Sequence, residues 1–140
     1  MSDRFFIDTN VFVYALEPAE REKQMRAEEL IRIAVDTRKG VVSYQVVQEF
    51  FNVVLRRFAQ PMNQIEAEQY LVTTFRPLLA VHSSYSLYVE ALQCTRSHSI
   101  SWYDSLIVAA AMQSDCAILY TEDLQHGQKF GALTVRNPFL

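Results

Sequence analysis

Short apolar runs alternate with amphipathic segments along the whole chain. The runs have the length of buried strands and lie at 4–8, 41–42, 78–81, 117–120 and 133–135. Between them, apolar residues recur at helical spacing, which predicts helices at 10–16, 20–38, 43–58, 63–75, 84–96 and 102–113. Strands that alternate with helices predict an α/β fold: a mainly parallel sheet of about four to five strands with helices on both faces.

Particular residues indicate where these elements begin and end. Thr9 or Asn10 is suited to cap the first helix. Gly40 is suited to the left-handed position after the second helix, and Pro77 is expected to end the fourth. The C-terminal segment 134–140 is expected to form an edge strand that closes the sheet.

Length and composition fit one domain over residues 1–140. Half of the 140 residues are hydrophobic, which is enough to bury one core without disulfides. Cys94 and Cys116 lack the spacing of a metal or redox pair, so we expect reduced core residues. No signal peptide or membrane span is recognisable, which predicts a cytoplasmic protein. The net charge of −3 argues against a protein that coats nucleic acid by charge alone.

Four carboxylates lie where a solvated helix face does not explain them. Asp8 and Asp123 follow predicted strands, whereas Glu49 and Asp104 lie on apolar faces in early helical turns. In a parallel sheet with crossover helices, all these positions face the same edge. Converging carboxylates repel one another unless cations are bound, and hard oxygen ligands select Mg²⁺ or Mn²⁺. The pattern therefore predicts metal-dependent phosphoryl chemistry.

Each of the four carboxylates also has a purely structural interpretation. Asp104 can complete a capping box that begins at Ser101. Glu49 can pair with Arg56 or Arg57 on the far side of its helix, or extend to the surface. The other two can be ordinary turn acids. These interpretations are independent of one another, whereas a single site explains all four carboxylates.

At these positions the chain resembles the PIN-domain ribonucleases, and within them the VapC-like toxins of prokaryotic toxin–antitoxin pairs. The resemblance covers essentially the whole chain, and four motifs carry it in order: FIDTN at 6–10, SYQVVQEF at 43–50, WYDSLIVAAA at 102–111 and YTEDL at 120–124. It implies that the catalytic and metal-binding residues are Asp8, Glu49, Asp104 and Asp123. It also implies that the supporting hydrogen-bonding residues are Thr9, Asn10 and Thr121.

The resemblance implies an activity and partners as well. The expected activity is an endoribonuclease that uses Mg²⁺ or Mn²⁺ to activate water, and the expected partners are a second copy in a homodimer and a separate antitoxin chain. Where many family members carry Asn or Asp in the final motif, this chain has Glu122 and Asp123, and either could be the ligand; Asp123 is favoured. Arg136 is a candidate contact to a substrate phosphate. The alternative function is a catalytically inactive PIN domain that binds RNA or protein.

Overall fold

The computed structural model describes residues 2–56 and 61–140. Within them, six strands form one sheet: β1 Phe5–Ile7, β2 Gly40–Ser43, β3 Leu79–Val81, β4 Ile118–Tyr120, β5 Lys129–Phe130 and β6 Leu133–Arg136. The strand order is β3-β2-β1-β4-β6-β5, and only β5 runs antiparallel to its neighbour. The predicted α/β class and the mainly parallel sheet are confirmed, with one strand more than expected.

Helices connect the parallel strands. They are α1 Thr9–Tyr14, α2 Arg21–Thr37, α3 Tyr44–Val54, α4 Gln64–Tyr70, α5 Arg76–Leu78, α6 Tyr85–His98 and α7 Trp102–Gln113. The chain moves outward from β1 to β3 through α1 to α5, then returns to β4 through α6 and α7. Right-handed crossovers in these two directions place the two groups of helices on opposite faces. None of the helices in the described ranges has the length and apolar character needed to cross a bilayer.

An aromatic cluster fixes α1 against α3 beneath the sheet edge that carries the acids. The rings of Phe12, Phe50 and Phe75 are fully buried, and their centroids lie 4.9–6.4 Å apart. Tyr70 stacks on Phe50 at 4.8 Å. Because such large rings leave little freedom to rotate or slide, the polar residues at the starts of α1 and α3 are held in a fixed relation.

The sequence predicted two reduced core cysteines and a third helix that ends at residue 58. Cys94 and Cys116 are buried and free, as expected. Desolvation raises the pKa of both thiols, which keeps them protonated and unreactive. The third helix ends at Val54, short of its predicted end at residue 58, which lies outside the described residues.

Gly40 does not end α2, contrary to the prediction. Arg38 takes the left-handed conformation there, with φ of 59°, and Gly40 opens β2. A Cβ atom on Gly40 would overlap the side chain of Ala34. The glycine is therefore needed because α2 and β2 approach closely, a contact that local sequence does not reveal.

Pro77 does not break the fourth helix, and the predicted end there is wrong. α4 continues into a π-helical turn at Leu71–Phe75, and α5 follows directly. Pro77 lies in the first turn of α5, directly after this wider π-helical turn, so the helical path continues past the proline.

The C-terminal segment does not form the edge of the sheet. β6 lies between β4 and β5, so the edge on this side is the two-residue strand β5. Two residues are too few to give a recognisable alternation of hydrophobic and polar positions. The sequence pattern therefore missed β5 and wrongly assigned its place to β6.

Candidate active site

Two neighbouring parallel strands bring the first and last acidic motifs together. β1 and β4 pair in a register that sets Ile7 beside Tyr120. The next residues, Asp8 and Thr121, leave the sheet side by side, and the Asp8 N–H donates to the Tyr120 carbonyl at 3.0 Å. The candidate site thus lies at the carboxyl ends of the strands, where open α/β sheets bind ligands.

Asp8 is buried at the centre of this edge, with 5% of its surface exposed. Its Oδ1 accepts from the Thr9 N–H at 2.7 Å, and its Oδ2 accepts from the Thr121 hydroxyl at 2.8 Å. Asp8 is also the residue that caps α1, so the prediction that Thr9 or Asn10 is the cap is wrong. Because α1 begins one residue earlier than expected, the side chains of Thr9 and Asn10 are free to reach other elements.

Thr9, Asn10 and Thr121 connect the acids. The Thr9 hydroxyl donates to Glu49 Oε1 at 2.7 Å. Asn10 Nδ2 donates to Asp123 Oδ2 at 3.0 Å and to the Thr121 hydroxyl at 3.3 Å. The Thr121 hydroxyl also accepts from the Asp123 N–H at 3.1 Å. The structure therefore joins three of the four predicted acids in one hydrogen-bonded network.

Glu49 is held by Gln45, a residue that the sequence reasoning missed. Gln45 Nε2 lies 3.4 Å from Glu49 Oε2 and 3.3 Å from the Tyr103 carbonyl, so it connects α3 to the start of α7. Gln45 is buried one helical turn before Glu49. A polar residue on the apolar face of a predicted helix was the sequence signal that could have identified Gln45. Glu49 makes no ion pair with Arg56, and Arg57 lies outside the described residues.

Asp104 lies half-buried at the start of α7. The Ser101 hydroxyl accepts from the Asp104 N–H at 3.2 Å, which is half of the suggested capping box. The return bond from the Ser101 N–H to the Asp104 carboxylate is not formed. Asp104 is close enough to Asp123 for its charge to raise the pKa of that carboxyl group. The Gln45 amide on α3 also donates to the carbonyl of Tyr103, the residue before Asp104, so the start of α7 lies at the same edge as the other acids.

Glu122 and Asp123 point to different partners. Glu122 accepts from the Tyr14 hydroxyl at 2.7 Å and forms an ion pair with Lys23 at 3.2 Å. Asp123 instead faces Asn10 within the network of acids. Since Glu122 is already neutralised by a lysine, Asp123 is the better placed of the two to bind a cation.

Within residues 2–56 and 61–140, the charges of the four acids are not balanced by protein cations. Burial raises the pKa of Asp8 to about 7, although hydrogen bonds from Thr9 and Thr121 oppose the shift; the charges of Asp123 and Glu49 raise it further. Desolvation likewise raises the pKa of Asp123, against the hydrogen bond from Asn10. In the described ranges, no lysine, arginine or histidine forms an ion pair with any of the four. Such a cluster favours binding of a cation.

The residues present fit a hard divalent cation by their chemistry. The donors are oxygen atoms, and Asn10 Oδ1 is a further buried acceptor without a hydrogen-bond partner. Among the residues that the structure describes, no three His, Cys, Asp or Glu side chains are close enough to form a ready-made metal cage. Mg²⁺ does not require one, because it keeps several waters and uses one or two carboxylates.

Arg136 lies apart from the acids. Its carbonyl accepts from the Thr121 N–H at 3.0 Å. Its exposed side chain lines a separate cleft of about 270 Å³ with Tyr120 and His126. The structure therefore does not bring this predicted substrate contact into the groove of carboxylates.

Comparison with known proteins identifies the family. Residues 5–129 match the model of the PIN domain, so the chain belongs to the PIN domain family. This match confirms the resemblance seen in the four sequence motifs. A search of curated proteins finds no match.

Solved structures share the fold over nearly the whole chain. FitAcB from Neisseria gonorrhoeae is 22% identical with a TM-score of 0.65, covering 96% of this chain and 98% of that one. VapC20 from Mycobacterium tuberculosis, a sarcin–ricin loop cleaving toxin, is 18% identical with a TM-score of 0.62, covering 85% and 89%. VapBC2 from Rickettsia felis, bound to promoter DNA, is 18% identical with a TM-score of 0.63, covering 95% and 97%. At these identities the likeness shows a shared fold.

Proposed function

We propose that this protein is an endoribonuclease that depends on Mg²⁺ or Mn²⁺. The observation that carries the proposal is the buried Asp8 carboxylate, which hydrogen bonds connect to Glu49 and Asp123 and which, in the described part of the chain, has no balancing cation. Oxygen-only sites of this kind hold Mg²⁺ or Mn²⁺ and serve phosphoryl chemistry. Membership of the PIN family supports RNA as the substrate.

The proposed roles follow from the contacts. Asp8, Glu49, Asp104 and Asp123 hold the cation, directly or through water. When bound, the cation lowers the pKa of a water and offsets negative charge on the phosphate. Thr9, Thr121 and Asn10 keep the carboxylates in place.

Cleavage of RNA by the purified protein tests this proposal. We expect cleavage with Mn²⁺ or Mg²⁺ and none with excess EDTA. Asp8→Asn and Asp104→Asn should each lower the rate at least about 100-fold while the circular dichroism spectrum stays unchanged. Asp36→Asn is the matched control, since Asp36 lies on α2 away from the site. Wild-type rates in the first two variants would contradict the assignment of the site.

We also propose that the protein is the toxin of a toxin–antitoxin pair. The support is the shared fold with chains described as toxins or solved in toxin–antitoxin complexes, including one from Klebsiella pneumoniae. Expression of the wild type should arrest growth, whereas Asp8→Asn should not. Co-expression of a small reading frame adjacent to its gene should restore growth. Growth arrest by the Asp8→Asn variant would speak against a nuclease toxin.

A homodimer is the proposed assembly, and an apolar stripe on α6 supports it. Tyr85, Tyr88, Val89 and Leu92 are exposed at helical spacing and form one face. Leu92→Glu should convert a dimer to a monomer in light scattering, whereas its neighbour Gln93→Glu should not. A monomeric wild type would contradict this assembly.

An inactive PIN domain that binds RNA or protein is the second candidate. One observation favours it: in the described part of the chain, no three acidic side chains form a ready-made metal cage. This candidate predicts RNA binding without cleavage in Mg²⁺ and in Mn²⁺. A divalent cation that does not change the thermal stability would also favour it.

A further inference from the structure

A groove of about 530 Å³ extends from the carboxylates between α1 and α3. At one end it is lined by Thr9, Asn10, Glu49 and Asp123, which belong to the candidate site. The groove then continues along α1 and α3 to residues with no part in holding a cation: Val13, Tyr14, Glu17, Asn52, Val53 and Glu122. Its volume lies within the range of pockets that bind small molecules. A ligand held at the carboxylates therefore has a neighbouring space of its own.

Tyr14 gives this groove a fixed aromatic wall. Its hydroxyl donates to Glu122 Oε1 at 2.7 Å and accepts from Lys23 Nζ at 3.3 Å. Lys23 Nζ lies 4.5 Å from the ring centroid, and the Phe139 ring packs against Tyr14 at 4.9 Å. The hydroxyl is satisfied within the protein, and Lys23 and Phe139 cover part of the ring, so the part of Tyr14 that lines the groove is the rest of the ring. A ring held in this way loses little entropy when a ligand binds.

The charge of the groove distinguishes between the parts of a nucleotide. Away from the cation-binding carboxylates, the groove carries the charge of Glu17, unpaired among the described residues, and the Glu122 carboxylate, which Lys23 neutralises, so this part of the groove offers a phosphate no net positive charge. A nucleobase carries no charge, and its amino groups donate to carboxylates and amide oxygens. Proteins bind unpaired RNA bases with aromatic side chains and with polar groups that read the base edges.

Asn52 is the group best suited to read a base edge. It is exposed on α3, one turn after Glu49 and on the wall opposite Tyr14. Its side chain offers one acceptor and two donors, which is the pattern needed to pair with a base. Val13 and Val53 supply apolar contact beside it.

We propose that the groove between α1 and α3 binds an unpaired nucleobase of the RNA, adjacent to the phosphodiester held at the carboxylates. Tyr14 packs against the base, and Asn52 selects among bases. This inference rests on the proposed ribonuclease function, and it names the two residues that give the cleavage a base preference.

Sequencing the cleavage products of a random single-stranded RNA pool tests the inference. With Mn²⁺, the wild type should show a base preference at a position next to the cut. Asn52→Ala should flatten that preference at the same position. Gln48→Ala is the matched control, because Gln48 is an exposed amide one turn earlier on α3 and does not line the groove. Its products should match those of the wild type.

Steady-state kinetics on one preferred oligonucleotide test the aromatic wall. Tyr14→Leu should lower kcat/KM roughly tenfold, mainly through KM, since stacking on an aromatic ring stabilises a bound unpaired base. Tyr14→Phe keeps the ring, so its kcat/KM should fall less than that of Tyr14→Leu. Thermal unfolding of each variant separates a lost contact from a lost fold.

The outcomes distinguish this inference from the proposed function. If the wild type cleaves RNA while Asn52→Ala and Tyr14→Leu keep its base preference and KM, the groove inference is wrong and the ribonuclease stands. If the wild type does not cleave, fluorescence anisotropy with a labelled single-stranded RNA decides: weaker binding by the variants supports the groove, and equal binding overturns it. Variants that weaken only the binding of a co-expressed protein partner would also overturn it.

Discussion

Thr121 alone makes four hydrogen bonds at the site, each to a different residue. Its hydroxyl donates to Asp8 and accepts from Asn10 and from the Asp123 N–H, while its own N–H donates to the Arg136 carbonyl. The side chain is fully buried. Because it supplies one of the two hydrogen bonds to the Asp8 carboxylate, its hydroxyl stabilises a charge that burial otherwise disfavours.

Thr121→Val tests this role at nearly constant volume. We expect the free energy of unfolding to fall by about 1–3 kcal/mol, because a buried carboxylate and an asparagine lose partners. Urea denaturation measures the change. Thr73→Val is the control, since Thr73 is exposed and bonds only to its own helix; its effect should stay within about 0.5 kcal/mol.

A double-mutant cycle with Asp8→Asn shows whether the stability lost in Thr121→Val comes from the hydrogen bond to Asp8. On the Asp8→Asn background, Thr121→Val should cost less, with a coupling of about 0.5–3 kcal/mol. Equal costs on both backgrounds would mean that the hydroxyl acts on its other partners.

At the scale of elements, the sequence predicted that the four acids meet at one edge of the sheet because the relevant signals are local. The end of an apolar run and the first turn of a helix are recognisable within a few residues, and parallel topology then assigns Asp8, Glu49, Asp104 and Asp123 to one edge. The contacts that hold these acids were not predictable. The Gln45 amide donates to the Tyr103 carbonyl, 58 positions away in sequence. Lys23 pairs with Glu122, beside Asp123, at a separation of 99 positions. No local pattern encodes such pairs.

Gly40 illustrates the same limit for the fold. Its sequence neighbours favour a helix end, but its actual role is the close approach of β2 to Ala34 on α2. Gly40→Ala should therefore destabilise the protein by about 1–3 kcal/mol through overpacking. Adding Ala34→Gly should recover part of the loss, less the roughly 1 kcal/mol cost of a glycine within a helix. Denaturant midpoints of the two single variants and the double variant measure both effects.

Gly131→Ala is the matched control for this pair. Gly131 has a φ of 60° and open space around its Cα, so an alanine there is strained by its backbone alone. Ala34→Gly should not relieve that strain. Equal rescue of both alanine variants would show that Ala34→Gly acts on general stability rather than on a steric contact.

At the scale of the whole molecule, the charge distribution predicts how a metal ion affects stability. The net charge is −3, and the sheet edge concentrates acids without paired cations in the described ranges. A cation that binds the folded state stabilises it by mass action, by about 2.7 kcal/mol at 100 times its Kd. For a chain of this size that corresponds to a rise in Tm of roughly 5–10 °C.

Asp8→Asn should separate two electrostatic effects at this edge: the cost of a buried charge without metal, and the stabilisation by a bound cation. Without metal, the variant should be more stable than the wild type by about 1 kcal/mol, because it removes a buried charge that burial and the neighbouring acids disfavour. With Mn²⁺, the wild type should gain the full rise in Tm and the variant little or none. Asp36→Asn should respond as the wild type does. Thermal melts over a Mn²⁺ titration measure all three proteins, and an equal rise in Asp8→Asn would place the cation away from Asp8.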